Sequence, residues 1–349
     1  MRSFSTDKKV IIGIVIGFCF AIIGGVIFIL GSGPAEVGVV EAQGVPQGVP
    51  VDTPEAAEIL EEQPESQAYF GALWFEGNPY MFNRELTNIL FLGIDTRGEM
   101  VEDVEWGEAG QADAIMLMTL DSRDRTVQLM QISRDTMVDI DLVNEDGDIV
   151  GGLHGQIALQ YAAGRGGASS NFVMRRSIAR LFHDMPIHGV IAMNIDGVHE
   201  LNDVIGGVTV TFPRDYTHID SAFIEGETLT LEGRQAERFV QFRDIMVDGD
   251  NVDRMERQVI YFTSLFQTLR TFVQEEDQSY QELFELLDPF MTTDIRAIDI
   301  PPFMTYQFDA DNVLYLPGTQ VRGERYAEFH LDESALKELL INTFYVPIR

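Results

Sequence analysis

The sequence predicts an α/β fold: a mixed central β-sheet covered by helices and preceded by one transmembrane helix. Three observations lead to it. Apolar runs at residues 89–94, 114–120 and 127–132 end in polar residues and have the length of buried strands. From residue 164 onward helical patterns alternate with strand-like runs, the order expected of a sheet layered with helices. Residues 10–30 form an almost uninterrupted apolar stretch without a charge, long enough to cross a bilayer core.

The N-terminal region divides by composition. Arg2, Lys8 and Lys9 precede the apolar stretch and acidic sequence follows it, so the positive-inside rule leaves residues 1–9 in the cytoplasm, residues 10–31 in the membrane and the rest outside. A cleaved signal peptide is the competing reading, but its apolar region would be shorter and end in a small-residue cleavage site. The single cysteine, Cys19, lies within the span, which leaves the outer domain without a disulfide. Residues 32–68, with GVPQGVP, lack the apolar density for a core and read as an extracytoplasmic linker to a domain at residues 69–349. The chain of 349 residues has a net charge of −32. A nucleic-acid partner is excluded, because neutralising phosphates takes a basic face; phosphate chemistry here needs a local cluster of arginines.

The domain opens with an aromatic segment, Tyr69, Phe70, Trp74, Phe75, Tyr80 and Phe82, expected to pack against the sheet; an aromatic sugar platform is the alternative. The run at 89–94 ends at Asp95. The runs at 114–120 and 127–132, joined by the polar turn 121–125, read as a hairpin. Charges fall at the strand ends, with Asp95 and Arg97 after the first, Asp113 before the second, and Arg134 and Asp135 after the third. Such ends are where α/β folds place chemistry. The acidic stretch 139–148 reads as a solvated turn, since its spacing lacks the twelfth-position glutamate of an EF-hand.

Gly164-Arg165-Gly166-Gly167 leads through Ser169 and Ser170 into a helix that turns Val173, Ile178, Leu181 and Phe182 inward. A phosphate cradle is the functional reading and a turn with a serine cap the plainer one. Residues 190–194 and 208–212 read as strands around a helix at 198–205 that ends at Gly206-Gly207. Residues 234–257 hold five of the 24 basic residues, Arg234, Arg238, Arg243, Arg254 and Arg257. Asp253 and Glu256 have capping-box spacing, so a helix is expected from 253 to about 273, with Arg254 and Arg257 on one face of its first turn. Guanidinium forks clustered there suit a phosphate chain or pair with nearby acids. A second helix is expected at 280–287, then a strand near Leu314, a Pro-Gly turn and a closing helix at 334–342.

LGIDTR, ADAIMLMTLD and MQISRDT resemble the opening motifs of the LytR-CpsA-Psr family of cell-wall glycopolymer ligases. Four further blocks follow in family order: the GRGG-to-helix junction, VIAMNIDGVHELNDVIGGVTV, LEGRQAERFVQFR and DRMERQ. The resemblance covers residues 88–269, with a weaker echo at YLPG. It implies helices on both faces of the sheet and a hydrophobic tunnel that holds a polyprenyl chain. It further implies an enzyme, a metal-dependent phosphotransferase that moves a phosphoglycosyl polymer from a polyprenyl-pyrophosphate-linked glycan to a sugar hydroxyl of peptidoglycan. Such a protein sits in the cell membrane by a single pass with its catalytic domain outside. By the same resemblance Asp95 and Asp113 match the aspartates that hold Mg2+ or Mn2+. Arg134 matches an arginine that clamps the pyrophosphate, and Asp135 orients it. Arg97, Arg243, Arg254, Arg257 and Gln258 fall on further pyrophosphate positions. Four positions depart from the pattern: Gln111 and Gln241 replace arginines, Gln156 stands near a usual asparagine and Asn251 replaces an aspartate. Two missing positive charges raise a second reading, a noncatalytic scaffold or regulator of envelope assembly that binds polyprenyl pyrophosphate.

Overall fold

The computed structural model describes residues 71–243, 250–275, 280–308, 312–324 and 326–348. The expected cytoplasmic segment, transmembrane helix, Cys19 and linker lie outside these residues. Among the described residues no helix is long and apolar enough to cross a membrane.

The central sheet has seven strands. β3 (Leu86–Ile94), β4 (Ala112–Asp121) and β5 (Thr126–Ile132) form its middle, antiparallel in sequence order, and β8 (Gly189–Asn194) lies parallel to β3 on the other side. β11 (Met291–Thr293) closes one edge; β12 (Gln307–Phe308) and β13 (Leu314–Tyr315) run parallel to β5 at the other. Side-chain alternation splits the apolar residues between two faces. Leu90, Leu92, Ile94, Ile115, Leu117, Met130 and Ile132 enter a core with α1 (Leu159–Ala163), α2 (Gly167–Leu181) and α8 (Glu333–Phe344). Ile89, Met116, Met118, Leu120, Val127 and Leu129 face the opposite side, where Val259 and Phe266 of α5 (Asp250–Glu275) cover them. Helices therefore lie on both faces of a mixed sheet, as the sequence predicts.

Asn88, fully buried in β3, knits three segments together. Its side chain accepts from Thr119 and donates to the Pro186 carbonyl, each at 2.9 Å, while its N–H donates to His188 Nδ1 at 2.9 Å. Burial lowers the His188 pKa below its ordinary 6.5. A base whose folded pKa is lowered stabilises the fold above the unfolded value and loses that stability as pH falls. Acidification through about pH 6.5 is thus expected to lower the melting temperature more steeply in the wild type than in His188→Gln, whose amide oxygen can still accept from Asn88. Parallel melting curves from pH 7 to 5 would remove His188 from this role.

Several elements differ from the expectation. Tyr69 and Phe70 lie outside the described residues; the rest of the aromatic segment forms β1 (Leu73–Phe75) and β2 (Asn78–Phe82), which pair with β16 (Tyr345–Pro347) in a separate three-stranded sheet. The turn uses Glu76 and Gly77, both at positive φ, which matches the twist of a two-residue hairpin. The acidic stretch is half strand and half turn: β6 (Met137–Val143) and β7 (Ile149–Gln156) pair around a turn at 144–148. Alternation of Val138, Ile140 and Leu142 with Asp139 and Asp141 outweighs acid density, and the buried Asp141 is paired with Arg176 and Arg180.

Residues 208–212 do not join the main sheet. β11 occupies the place beside β8, and β9 (Val208–Thr211) pairs instead with β10 (Thr228–Leu231). The helix between β8 and β9, α3 (Ile195–Val204), starts earlier than expected because Asn194 caps it. α2 has no serine cap; Ser170 Oγ, inside the helix, accepts from Gly166 N–H and donates to the Tyr161 carbonyl. α4 (Arg234–Gln241) precedes α5, which begins three residues before the expected cap. The carboxylates assigned to capping are drawn into ion pairs instead: Arg214 binds both Asp253 and Glu256, and Arg257 binds Asp253. α6 (Tyr280–Leu287) matches its expectation.

Candidate functional site

Strand polarity assembles the charged residues. β3 and β5 are both antiparallel to β4, so the C-terminal ends of β3 and β5 and the N-terminal end of β4 share one edge of the sheet. The hairpin aligns Asp121 with Thr126. Counted back eight residues on one strand and on eight along the other, Asp113 stands opposite Arg134. Asp95 follows β3, and its backbone pairs with the Gln111 carbonyl at 3.1 Å.

The side chains form one network. Asp113 accepts from Arg134 on Oδ1 and from Arg254 on Oδ2, the latter at 3.0 Å. Arg134 also donates to Gln111 Oε1 at 2.6 Å, and Asp95 Oδ1 accepts from the Gln111 N–H at 2.6 Å. Arg254 is only 2% exposed and donates to Asn251 Oδ1 at 2.9 Å. Burial, aided by the charges of Arg254 and Arg243, pushes Arg134 from its ordinary value down to about 10, so it remains cationic at neutral pH. Gly110, at positive φ, lies against this centre, where an added Cβ would come within 2.9 Å of Asp95 Oδ1.

Asp135 is placed differently from its neighbour. It is 4% exposed and accepts from Gln156 at 2.7 Å, Asn251 at 2.8 Å and Gln320 at 3.1 Å. It orients Asn251, which in turn holds Arg254. Arg257 also has its groups engaged: it binds Asp253 at 3.0 Å, the Phe239 carbonyl and, at 2.7 Å, the Phe242 carbonyl. It fastens the end of α4 to α5, whereas Arg254, three residues earlier, reaches the sheet edge. Arg97 is half exposed and joins Asp196 and Glu237. Arg243 acts on Arg134 by charge.

An apolar cavity of about 220 Å³ runs from this centre between the sheet and α5. Asp95 and Asp113 line one end; Phe91, Met118, Phe262 and Phe266 line its length, and Phe303 and Met304 lie beyond. From Ile89 to Asp95 it follows β3 for six residues, about 20 Å of strand. Gly93 and Ala114, directly paired, keep the charged end open. Gln258 lines the cavity; its Nε2 donates weakly to the Val240 carbonyl at 3.4 Å, and its buried Oε1 has no hydrogen-bond partner among the described residues. A polar pocket of about 700 Å³ adjoins the cavity through Gln241, which lines both.

Among the described residues no three His, Cys, Asp or Glu side chains cluster as a complete metal cage. Mg2+ and Mn2+ do not require one, since such ions take one or two carboxylates and complete their shell with water and substrate phosphate. Asp95 and Asp113 are hard oxygen donors at one cavity end; Asp95 fits that demand directly, and Asp113 would share with an ion the oxygens that Arg134 and Arg254 already contact. Sequence reasoning singled out both aspartates and Arg134. It missed Gln320, which comes 185 residues after Asp135 and carries no local pattern, and the pairing of His199 with Glu237 at 2.7 Å.

The LytR_cpsA_psr family model matches residues 55–339. The polyisoprenyl-teichoic acid–peptidoglycan teichoic acid transferase TagU of Enterococcus faecalis is 28% identical over 62% of this chain and 64% of its own length. The TagU of Bacillus cereus is 30% identical over 50% and 51%. The chain thus spans less than two thirds of the length of these curated relatives. Among solved structures, TagT bound to LI-WTA superposes with a TM-score of 0.55 at 19% identity, over 74% of this chain and 90% of that one. Bacillus subtilis TagV superposes with a TM-score of 0.55 at 19% identity, over 74% and 97%. At that identity the two structures show a shared fold.

Proposed function

The chain belongs to the LytR-CpsA-Psr family, and from that premise we propose that it is a membrane-anchored, extracytoplasmic phosphotransferase. It moves a phosphoglycosyl polymer from a polyprenyl-pyrophosphate carrier to a sugar hydroxyl of peptidoglycan. One observation carries the reading: a long apolar cavity ends at two carboxylates interleaved with two guanidinium forks. A polyprenyl pyrophosphate has the same two-part chemistry, an apolar chain ending in a dense anion. The names of the TagU relatives support the same donor and acceptor classes.

The residues divide the work. Phosphoryl transfer needs positioning and neutralisation of charge on oxygens that are already anionic. Arg134 and Arg254 present planar forks that match phosphate oxygens in pairs. Asp113 holds both in place, and Gln111 links Arg134 to Asp95. Val240, Phe262 and Leu265 line the cavity near Gln258 and exclude water from the carrier chain. Mg2+ or Mn2+ on Asp95 and Asp113 would supply further neutralisation of the transferring group.

The test uses full-length protein in vesicles with carrier-linked glycan, peptidoglycan and Mg2+ or Mn2+. Release of polyprenyl phosphate and attachment of glycan to peptidoglycan are expected, and EDTA is expected to stop both. Gln111 and Gln241, where family members carry arginine, favour a second reading, a noncatalytic carrier-binding scaffold. Carrier binding with no release under either ion would establish that reading in place of the first.

A further inference from the structure

Donor binding leaves two features unexplained: the polar pocket beside the apolar cavity and the absence of an evident base at the charged end. Asp113 has a guanidinium on each oxygen, and Asp95 takes a backbone N–H. The pocket holds a histidine and a carboxylate in contact, His199 Nε2 lying 2.7 Å from Glu237 Oε2. Glu237 is fixed a second time, by Arg97 on Oε1, and Arg97 is in turn held by Asp196 at 2.9 Å. Glu237 and Gln241 are four residues apart on α4 and share a helix face, about 6 Å apart along its axis. Since Gln241 lines both spaces, the His199–Glu237 pair sits about one helical turn from the carrier cavity.

We propose that this pocket is the acceptor-sugar subsite and that His199, oriented by Glu237, is the general base for the attacking hydroxyl. The inference rests on the phosphotransferase reading above. The 2.7 Å contact is not aligned as a hydrogen bond and Nε2 is buried; catalytic contacts of this kind tighten when substrate binds, and a hydrogen bond from Nε2–H to Glu237 then leaves the lone pair on Nδ1 to accept a proton. The volume of about 700 Å³ lies within the ~300–1,000 Å³ range of small-molecule pockets. Its lining of Arg97, Arg234 and Arg238 balanced by acids, with Gln241 and Phe242, suits a hydroxyl-rich ring better than an isoprenoid. In the reaction the acceptor O–H bond breaks and its proton passes to His199 Nδ1. The acceptor oxygen bonds to the glycan-bearing phosphorus, and the bond from that phosphorus to the pyrophosphate bridging oxygen breaks. Polyprenyl phosphate leaves.

The experiment compares full-length wild type with His199→Gln, Glu237→Gln and Glu237→Asp. Three quantities are read: binding of geranylgeranyl pyrophosphate, binding of a peptidoglycan-derived oligosaccharide, and transfer to that oligosaccharide. His199→Gln is expected to lower kcat about 10²–10⁴-fold, the usual reach of general base catalysis, with lipid binding unchanged. Glu237→Gln is expected to lower kcat with the acceptor KM unchanged, and Glu237→Asp to restore part of it, a split that loss of structure would not produce. Transfer by His199→Gln within about threefold of wild type overturns the base and leaves the phosphotransferase reading intact. A wild type that binds the oligosaccharide, loses that binding on Phe242→Ala and never transfers sinks the phosphotransferase reading while supporting the subsite. A wild type that transfers and binds acceptor with undiminished affinity in Phe242→Ala and Arg234→Ala overturns the subsite.

Discussion

Arg134→Ala is expected to lower the turnover of glycan transfer by about 10²–10³-fold. Removing one preorganised donor aimed at developing charge costs about that much in a water-excluded site. Arg134 meets the conditions: its side chain is 12% exposed, it is locked between Asp113 and Gln111, and it remains cationic at neutral pH. Arg134→Lys is expected to recover little, because an ammonium is a point charge and cannot replace a planar fork. The measurement is kcat and KM with carrier-linked glycan, together with a melting curve. Activity within threefold of wild type would mean that the arginine at this edge serves the fold and that Arg254 alone serves the anion.

Asp135→Ala is expected to be the most destabilising single change at the site. It removes the shared acceptor of Gln156, Asn251 and Gln320, three amides that come from β7, from α5 and from β14 (Gly318–Arg322). A buried donor left unsatisfied costs about 1–3 kcal/mol; Gln156 keeps its bond to the Ala327 carbonyl at 2.8 Å and Gln320 is only part-buried, so the loss is about 3 kcal/mol, against roughly 5–15 kcal/mol for a whole domain. A fall of about 10 °C in melting temperature follows from the usual scaling for a domain of this size. Asp135→Asn keeps the shape but turns an amide toward amides, and an intermediate loss is expected. Activity should fall as well, since Asn251 would no longer hold Arg254. A melting temperature within 2 °C of wild type would show that the three amides find other acceptors at little cost.

Much of the site was legible in the chain. A hairpin closed by a short polar turn has a fixed register, which alone places Asp113 against Arg134. The apolar run before Asp95 reads as a neighbouring strand, so the second carboxylate comes to the same edge once the pairing is antiparallel. The GVHELNDVIGG stretch likewise announced a helix and its glycine stop, and the structure begins that helix only a few residues earlier. Patterns of charge misled more than patterns of apolarity. The acids at 139–148 read as a loop and Asp253 as a cap, yet Asp141 and Asp253 are bound by arginines from distant segments. A carboxylate's local role is set by whichever cation reaches it, and that choice is made across the fold.

Periodicity and turn length by themselves determined the three central strands and the main helices, their apolar faces, and that acids and an arginine meet at one sheet edge. Each of those follows from interactions within a few turns or across one hairpin. Tertiary structure decided the rest. Arg254 and Arg257 look equivalent in sequence, three residues apart on a helix, but a 60° difference in direction sends one to Asp113 and the other to the carbonyls of α4. The apolar residues of α5 could have closed into a solid core; the way that helix lies over Gly93, Ala114 and the outer face of β3 leaves a cavity instead. His199 and Glu237 carry no signal until α3 and α4 pack side by side. Long-range packing fixes direction and distance, which no local pattern encodes.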